Sequence, residues 1–230
     1  MGCQTAEEAK AQYVAKMGVA LGNQFAALWQ ELANLYLKCN EFIELFGTKP
    51  SQIELLDKAA SGFFHMIQGV MWEDLLPHLA RIADPPNSLK RKDKANLTIQ
   101  NLPALVADET TKTAVSRLVA TAVGKTSFCR EWRNRHIAHR DLALALEQPA
   151  APLPEADIAQ VKEALEAFAS VLNAVQQRYM DATTAFAAIA SLRGATSLLY
   201  ALDDADRAHK KRQERLERGE VTDEDARQPL

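Results

Sequence analysis

The chain has 230 residues, of which 47% are apolar and 25% charged, with a net charge of −3. That is ample for a sizeable core and excludes both a disordered chain and a broadly basic nucleic-acid coat; any nucleic-acid contact must come from a local patch. Nine glycines and nine prolines are too few for an all-β fold of many short strands. Cys3, Cys39 and Cys129 are too far apart for a disulfide framework or a zinc site, and a reducing, cytoplasmic setting is expected. No apolar run reaches membrane-spanning length, no charged-then-apolar leader opens the chain, and Ala6 stands where a myristoylation pattern needs Ser or Thr.

Helical signals follow one another along the chain. Thr5 and Glu8 have the spacing of a capping box. Gly18 and Gly22 weaken the next stretch and predict a bend. Phe25, Leu28, Leu32, Leu35, Cys39, Phe42 and Phe46 alternate spacings of three and four, an apolar stripe along about six turns. Gly47 ends it, and Pro50-Ser51 opens a second helix with Ser51 as the expected N-cap. Ile53, Leu56, Ala60, Phe63, Ile67 and Val70 form the second stripe, and Pro77 is expected to kink or restart the helix. Asp84-Pro85-Pro86-Asn87-Ser88 is a stop, followed by a polar loop with Lys90, Arg91, Lys92 and Lys94 against Asp93. Leu97 to Val106 reads as a small helix, and Val115, Leu118, Val119, Ala122 and Val123 open another that runs through Trp132.

Gln148 to Pro154 is a proline-containing loop. Ile158, Val161, Leu165, Phe168, Leu172, Val175 and Tyr179 then make a third stripe, prolonged by Phe186 and Ile189, with a joint at Gly194. From Asp203 to Glu220 six basic and six acidic residues balance, the pattern of a solvated helix laced with ion pairs that frays toward Leu230. No stretch alternates with period two. The expected fold is all-α, an antiparallel bundle of four or more long helices, as domain 1–202 with a charged helical tail over 203–230. Core packing explains the stripes, and their heptad regularity also suits helices that pair between two chains.

The segment Cys129-Arg130-Glu131-Trp132-Arg133-Asn134-Arg135-His136-Ile137-Ala138-His139-Arg140-Asp141 stands apart, with four arginines and two of the five histidines in 13 residues. On a helix Cys129, Trp132 and His136 follow the buried face and Arg133 lies beside them, so the apolar seam turns polar. Charge there needs a partner, with Asp141 or Glu131 as candidates, or else the seam opens into a cleft.

Arg133-Asn134, followed by His139 with five residues between Arg133 and His139, resembles the signature of HEPN domains: an arginine, four to six residues, then a histidine, with Asn, Asp or His commonly after the arginine. The string Arg135 to Asp141 is similar to the form in the abortive-infection subgroup. The resemblance implies an all-α fold, a homodimer whose two motifs share one cleft, and a metal-independent endoribonuclease of a phage-defence or toxin–antitoxin type. No cofactor or metal is implied; the partners would be RNA and a second copy, with an antitoxin protein as a further candidate. A tyrosine two residues after the histidine, the mark of members silenced by adenylylation, is replaced by Asp141.

RNA supplies its own nucleophile, the 2′-hydroxyl, so the protein needs a proton-transfer group and a cation. Histidine, with an ordinary pKa of about 6.5, suits the first, and the bidentate arginine fork suits the second. Arg133, His139 and Asn134 are the expected catalytic residues; Arg135, Arg140, Arg130 and His136 are the expected substrate contacts. Arg130 and His136 have the same spacing, with Glu131 a poorer fit after the arginine. On a regular helix Arg133 and His139 sit about 120° apart, so convergence requires the helix to end near Ile137 or two copies to meet.

A structural reading stands beside this one, with His139 at a helix C-terminus and Arg133 paired to Asp141. On that reading the protein is a non-catalytic helical dimer, a nucleotide-binding or interaction module. His65, His78 and His209 read as ordinary packed or surface residues, Trp132 as core and Cys129 as a small buried hydrophobe. A ferritin-like metal protein is disfavoured because no Glu-x-x-His pair occurs.

Overall fold

The computed structural model describes residues 5–47, 49–88, 91–146 and 151–222. Its elements are α1 (Ala6–Met17), α2 (Val19–Phe46), α3 (Pro50–Ile82), β1 (Asn87–Ser88), β2 (Arg91–Ala95), α4 (Leu102–Leu105), α5 (Glu109–Lys125), α6 (Ser127–Trp132), α7 (Leu142–Ala145), α8 (Ile158–Met180) and α9 (Ala195–Glu217), with 3-10 turns at Ile99–Asn101 and Phe186–Ala188. Among the described residues the fold is all-α apart from one antiparallel hairpin, β1–β2, in register Asn87 with Ala95 and Ser88 with Arg91. That hairpin corrects the expected basic loop, although Lys90 lies outside the described residues. Met1, Gly2 and Cys3, part of the Gln148–Pro154 loop and the end of the tail also lie outside them.

The chain divides into two compact units, one of Met1–Cys39 with Met71–Ile189, the other of Asn40–Val70 with Ala190–Leu230. The first unit begins with the expected capping box: Glu8 N–H donates to Thr5 Oγ1 and Thr5 N–H to the Glu8 carboxylate. The bend falls at Gly18, whose φ of 81° ends α1. At Gly22 a Cβ would lie 2.6 Å from Val14 Cα, so α2 starts where only glycine lets the two backbones meet. The stripe of α2 is buried from Phe25 to Cys39, and the inner face of α8 is equally dry at Val161, Leu165, Phe168, Leu172 and Val175. Helix α5 packs along α8. Asp157 and Gln160 form the capping box that starts α8, and Asp181, at φ 50°, caps its end.

Several expectations are corrected. Helix α3 begins at Pro50, with proline at the first helical position, so Ser51 is inside the first turn rather than its cap. Its backbone departs from helix at Ala60 (φ −167°, ψ 70°) and not at Pro77, which the helix carries within it. That departure resets the phase. Beyond it Phe64 is buried while Phe63 and Val70 from the expected stripe are exposed; before it Leu56 is buried as expected and Ile53 is exposed. The helix expected to run through Trp132 breaks at Thr126, whose hydroxyl donates to the Ala122 carbonyl. Helix α8 stops at Met180, so Phe186 does not prolong it; it enters the core from a 3-10 turn, against Trp29 and Tyr36.

In the second unit the end of α2, the start of α3 and α9 bury Phe42, Leu45, Leu56, Phe64, Ala195 and Leu199. The Glu41 carboxylate accepts from Ala195 N–H at 2.5 Å and so caps α9, where Gly194 leaves room for it. Charged residues line the rest of α9, with pairs Arg207–Asp203 and Lys210–Asp206 at 2.6 Å. This helix runs through position 202, where composition turns charged.

A polar seam joins α2 to α3 within the first unit. Glu31 accepts from Arg81 at 2.8 Å and contacts the buried His78 at 2.6 Å; Lys38 pairs with Asp74 at 2.5 Å. Burial, with Arg81 beside it, holds the His78 imidazole below its ordinary pKa. Burial pushes Glu31 up, but the bonds from His78 and Arg81 together carry it below the ordinary carboxylate value. Both shifts have one sign in stability. The unfolded chain binds protons first, so stability present at neutral pH is lost as pH falls below the ordinary histidine value and then the ordinary carboxylate value. The midpoint of urea unfolding should therefore fall between pH 7 and pH 4, and His78→Gln should flatten the upper part of that fall. An unchanged profile in the variant would remove His78 as its source.

Candidate functional site

The arginine- and histidine-rich segment belongs to the first unit. Phe128 and Cys129 of α6 point into the core, and burial pushes the Cys129 thiol up to about 12, so it is a protonated small hydrophobe. Trp132 is half-buried and its indole N–H donates to the Pro154 carbonyl at 2.9 Å. Beyond Trp132 the helix widens. Ala138 N–H donates to the Arg133 carbonyl at 2.7 Å, five residues back, and Arg133–Ile137 forms a single π-turn. Such turns gather at functional sites. Helical bonding ends at Ile137; Asp141 N–H then folds back to the Arg135 carbonyl at 2.9 Å, and its carboxylate caps α7.

The π-turn sets the arginines against a carboxylate from the end of α3. Arg133 Nη1 donates to Asp84 Oδ2 at 2.5 Å, and its Nε donates to Asn134 Oδ1 at 3.2 Å. Arg130 Nε lies 3.6 Å from Asp84 Oδ1, and its Nη2 donates to the Ala83 carbonyl at 3.3 Å. One carboxylate thus serves two guanidiniums. The sequence paired Arg133 with Asp141 or Glu131; the structure corrects this. Asp141 lies 3.5 Å from Arg135, Glu131 lies 3.9 Å from it, and Arg135 Nη2 also donates to the Ala151 carbonyl at 2.6 Å. Asp84 was missed because it reads as part of a Pro-Pro stop; its signal is an acid in the turn that follows the end of α3, where Leu79, Ala80 and Ile82 are buried.

Asp84 and Arg133 keep only 20% and 24% of their side-chain surface in solvent, so the pair is largely desolvated. Removing the acid leaves two half-buried cations without a counter-ion. Asp84→Ala should cost about 2 kcal/mol of unfolding free energy, below the range for fully buried pairs because water still reaches the site. A urea midpoint unchanged in Asp84→Ala would make the pair energetically idle.

The histidines differ. His136 meets the Trp132 ring edge to face at 5.3 Å and lies 3.8 Å from Glu73. His139, two residues past the π-turn, is exposed, with no hydrogen bond or ion pair to any described residue; Arg140 is likewise exposed and unpaired among them. Within one chain no described contact joins Arg133 to His139. Asn134 is exposed and engaged only through Arg133. Among the described residues no three His, Cys, Asp or Glu side chains gather as a metal-ligating group, and no helix is long and apolar enough to cross a membrane. A cleft of about 480 Å³ in the second unit, lined by Lys49, Lys58, Asp206 and Lys210 among others, contains none of these residues.

The site is thus a tethered arginine pair and a free histidine at the broken end of a helix, in an all-α fold. Residues 18–195 match the model of the HEPN domain of AbiU2, and the chain belongs to this abortive-infection-associated HEPN family. No curated protein and no solved structure matches the chain.

Proposed function

We propose that the protein is a metal-independent endoribonuclease that acts as a homodimer in phage defence or as a toxin. The observation that carries the reading is the difference between the two motif ends. Arg133 is held by Asp84 and Asn134 with its Nη2 corner unspent, while His139 is exposed and unpaired among the described residues. A fixed fork with free donors suits a phosphate, and a free imidazole suits proton transfer. Arg130 and His136 are less suited, because Asp84, Ala83, Glu73 and Trp132 already engage them.

In the proposed reaction a base takes the proton of the RNA 2′-hydroxyl as its oxygen attacks the adjacent phosphorus. Arg133 stabilises the charge on the non-bridging oxygens. The bond to the 5′-oxygen breaks, and an acid returns a proton to it. The products carry a 2′,3′-cyclic phosphate and a 5′-hydroxyl. One motif offers one free histidine, His139; a two-fold axis that joins two motifs offers base and acid together. Family membership supports that dimer and RNA as the ligand.

The test is incubation of purified protein with labelled transfer and messenger RNA in excess EDTA, with the product ends analysed. Cleavage that leaves 2′,3′-cyclic phosphates is expected. Intact RNA, with no toxicity on induced expression, would favour the second reading, a non-catalytic module in which the Arg133–Asp84 pair is only structural.

A further inference from the structure

One cavity in the first unit is not used by the proposed chemistry. It encloses about 310 Å³ and lies directly beside the motif. Leu144, Pro152 and Leu153 form its apolar side; Arg135, His136 and Arg140 form its polar side. These polar groups are not equivalent. Arg135 is fixed through the Ala151 carbonyl and Asp141, and the His136 ring is set by Trp132. Two flat, oriented π-systems therefore border an apolar floor. Arg140 is exposed, has no partner among the described residues, and follows His139 directly in the chain.

An apolar slot bordered by a planar guanidinium and an imidazole is the environment in which an unstacked base is held, and a free arginine at its rim is a phosphate contact. We propose that this cavity is a nucleobase subsite, which takes the base of a nucleotide next to the cleaved bond while Arg140 binds that nucleotide's phosphate. The chemistry favours a single-stranded segment, because a base paired within a duplex does not present its face to a pocket. The proposal rests on the reading of the motif as an RNA site. It adds that the protein grips one splayed-out base there, and so selects unpaired positions.

The ligand for the test is a 2′-O-methyl oligonucleotide, which lacks the nucleophile and cannot be cut. Fluorescence anisotropy is measured for a series in which each position in turn is abasic. One abasic position should weaken binding about tenfold while the others change little. In Leu144→Asp, which puts a negative charge on the apolar floor, that penalty should disappear, since the base no longer has a slot to lose. Arg140→Ala, at an exposed and unpaired position, should weaken every oligonucleotide about equally and lower the salt dependence. Circular dichroism checks that both variants fold. A uniform abasic series, or a penalty that persists in Leu144→Asp, overturns the subsite. Displacement of the oligonucleotide by a mononucleotide at similar concentration also overturns it, because the cavity would then serve a free nucleotide. The nuclease reading fails separately: one-base dependence in binding with wild-type cleavage absent keeps the cavity and retires the nuclease.

Discussion

Cleavage by His139→Ala should fall by a factor of about 10² to 10⁴ against the parent protein, the range for loss of a positioned proton-transfer group. The fold should be untouched. His139 is exposed, past the last helical hydrogen bond, and supports nothing in the core. The same replacement at His136 should cost far less activity and some stability, because its ring is packed on Trp132 and faces Glu73. Initial rates on one labelled RNA, with unfolding curves for each variant, separate the two. Equal losses at both positions, or activity retained in His139→Ala, would overturn the assignment of His139.

Arg133→Lys should reduce turnover by about 10² to 10³, in the range for a lost transition-state donor, although the charge is kept. Lysine has one ammonium where arginine has a planar fork. It can reach Asp84 or a phosphate, but it cannot donate to Asp84 and Asn134 while it presents a further edge. The loss should fall on kcat more than on KM, since a point charge still attracts RNA. Activity close to the parent's would mean that the site asks for charge alone. A loss confined to KM would make Arg133 a binding residue.

The fold was legible where apolar spacing is strict. The α2 stripe from Phe25 to Cys39 and the α8 stripe from Val161 to Val175 are both buried in the first unit, and the Thr5–Glu8 spacing is the cap of α1. What periodicity missed has local causes. Ala60 carries no compositional mark of a break, and alanine is a strong helix former. The β1–β2 hairpin has no apolar alternation to betray it, since its second strand is almost wholly charged. Phe186 continues the apolar spacing of α8 numerically, but Asp181 has already turned the chain into the left-handed region.

The candidate site was legible as residue types and only in part as geometry. Arg133, Asn134, His136 and His139 could be singled out because they crowd one short segment. Asp84, 49 residues earlier than Arg133, could not be, because the pairing depends on how α3 ends rather than on any spacing within the motif. The π-turn was equally hidden, because one extra residue in a turn changes neither composition nor polarity.

That turn gives the segment a kind of slack. An α-turn and a π-turn occupy the same stretch of helix axis to within about one residue's rise, yet the second holds one residue more. The loop of chain between the arginine that faces Asp84 and the histidine beyond the helix end can thus gain or lose a residue through the width of a single turn. If this turn tightens to an α-turn, the stretch between Arg133 and His139 shortens by one residue while the helix before it keeps its place. Insertions here are absorbed sideways, as a bulge, where elsewhere along α8 or α5 they would rotate every later side chain out of the core.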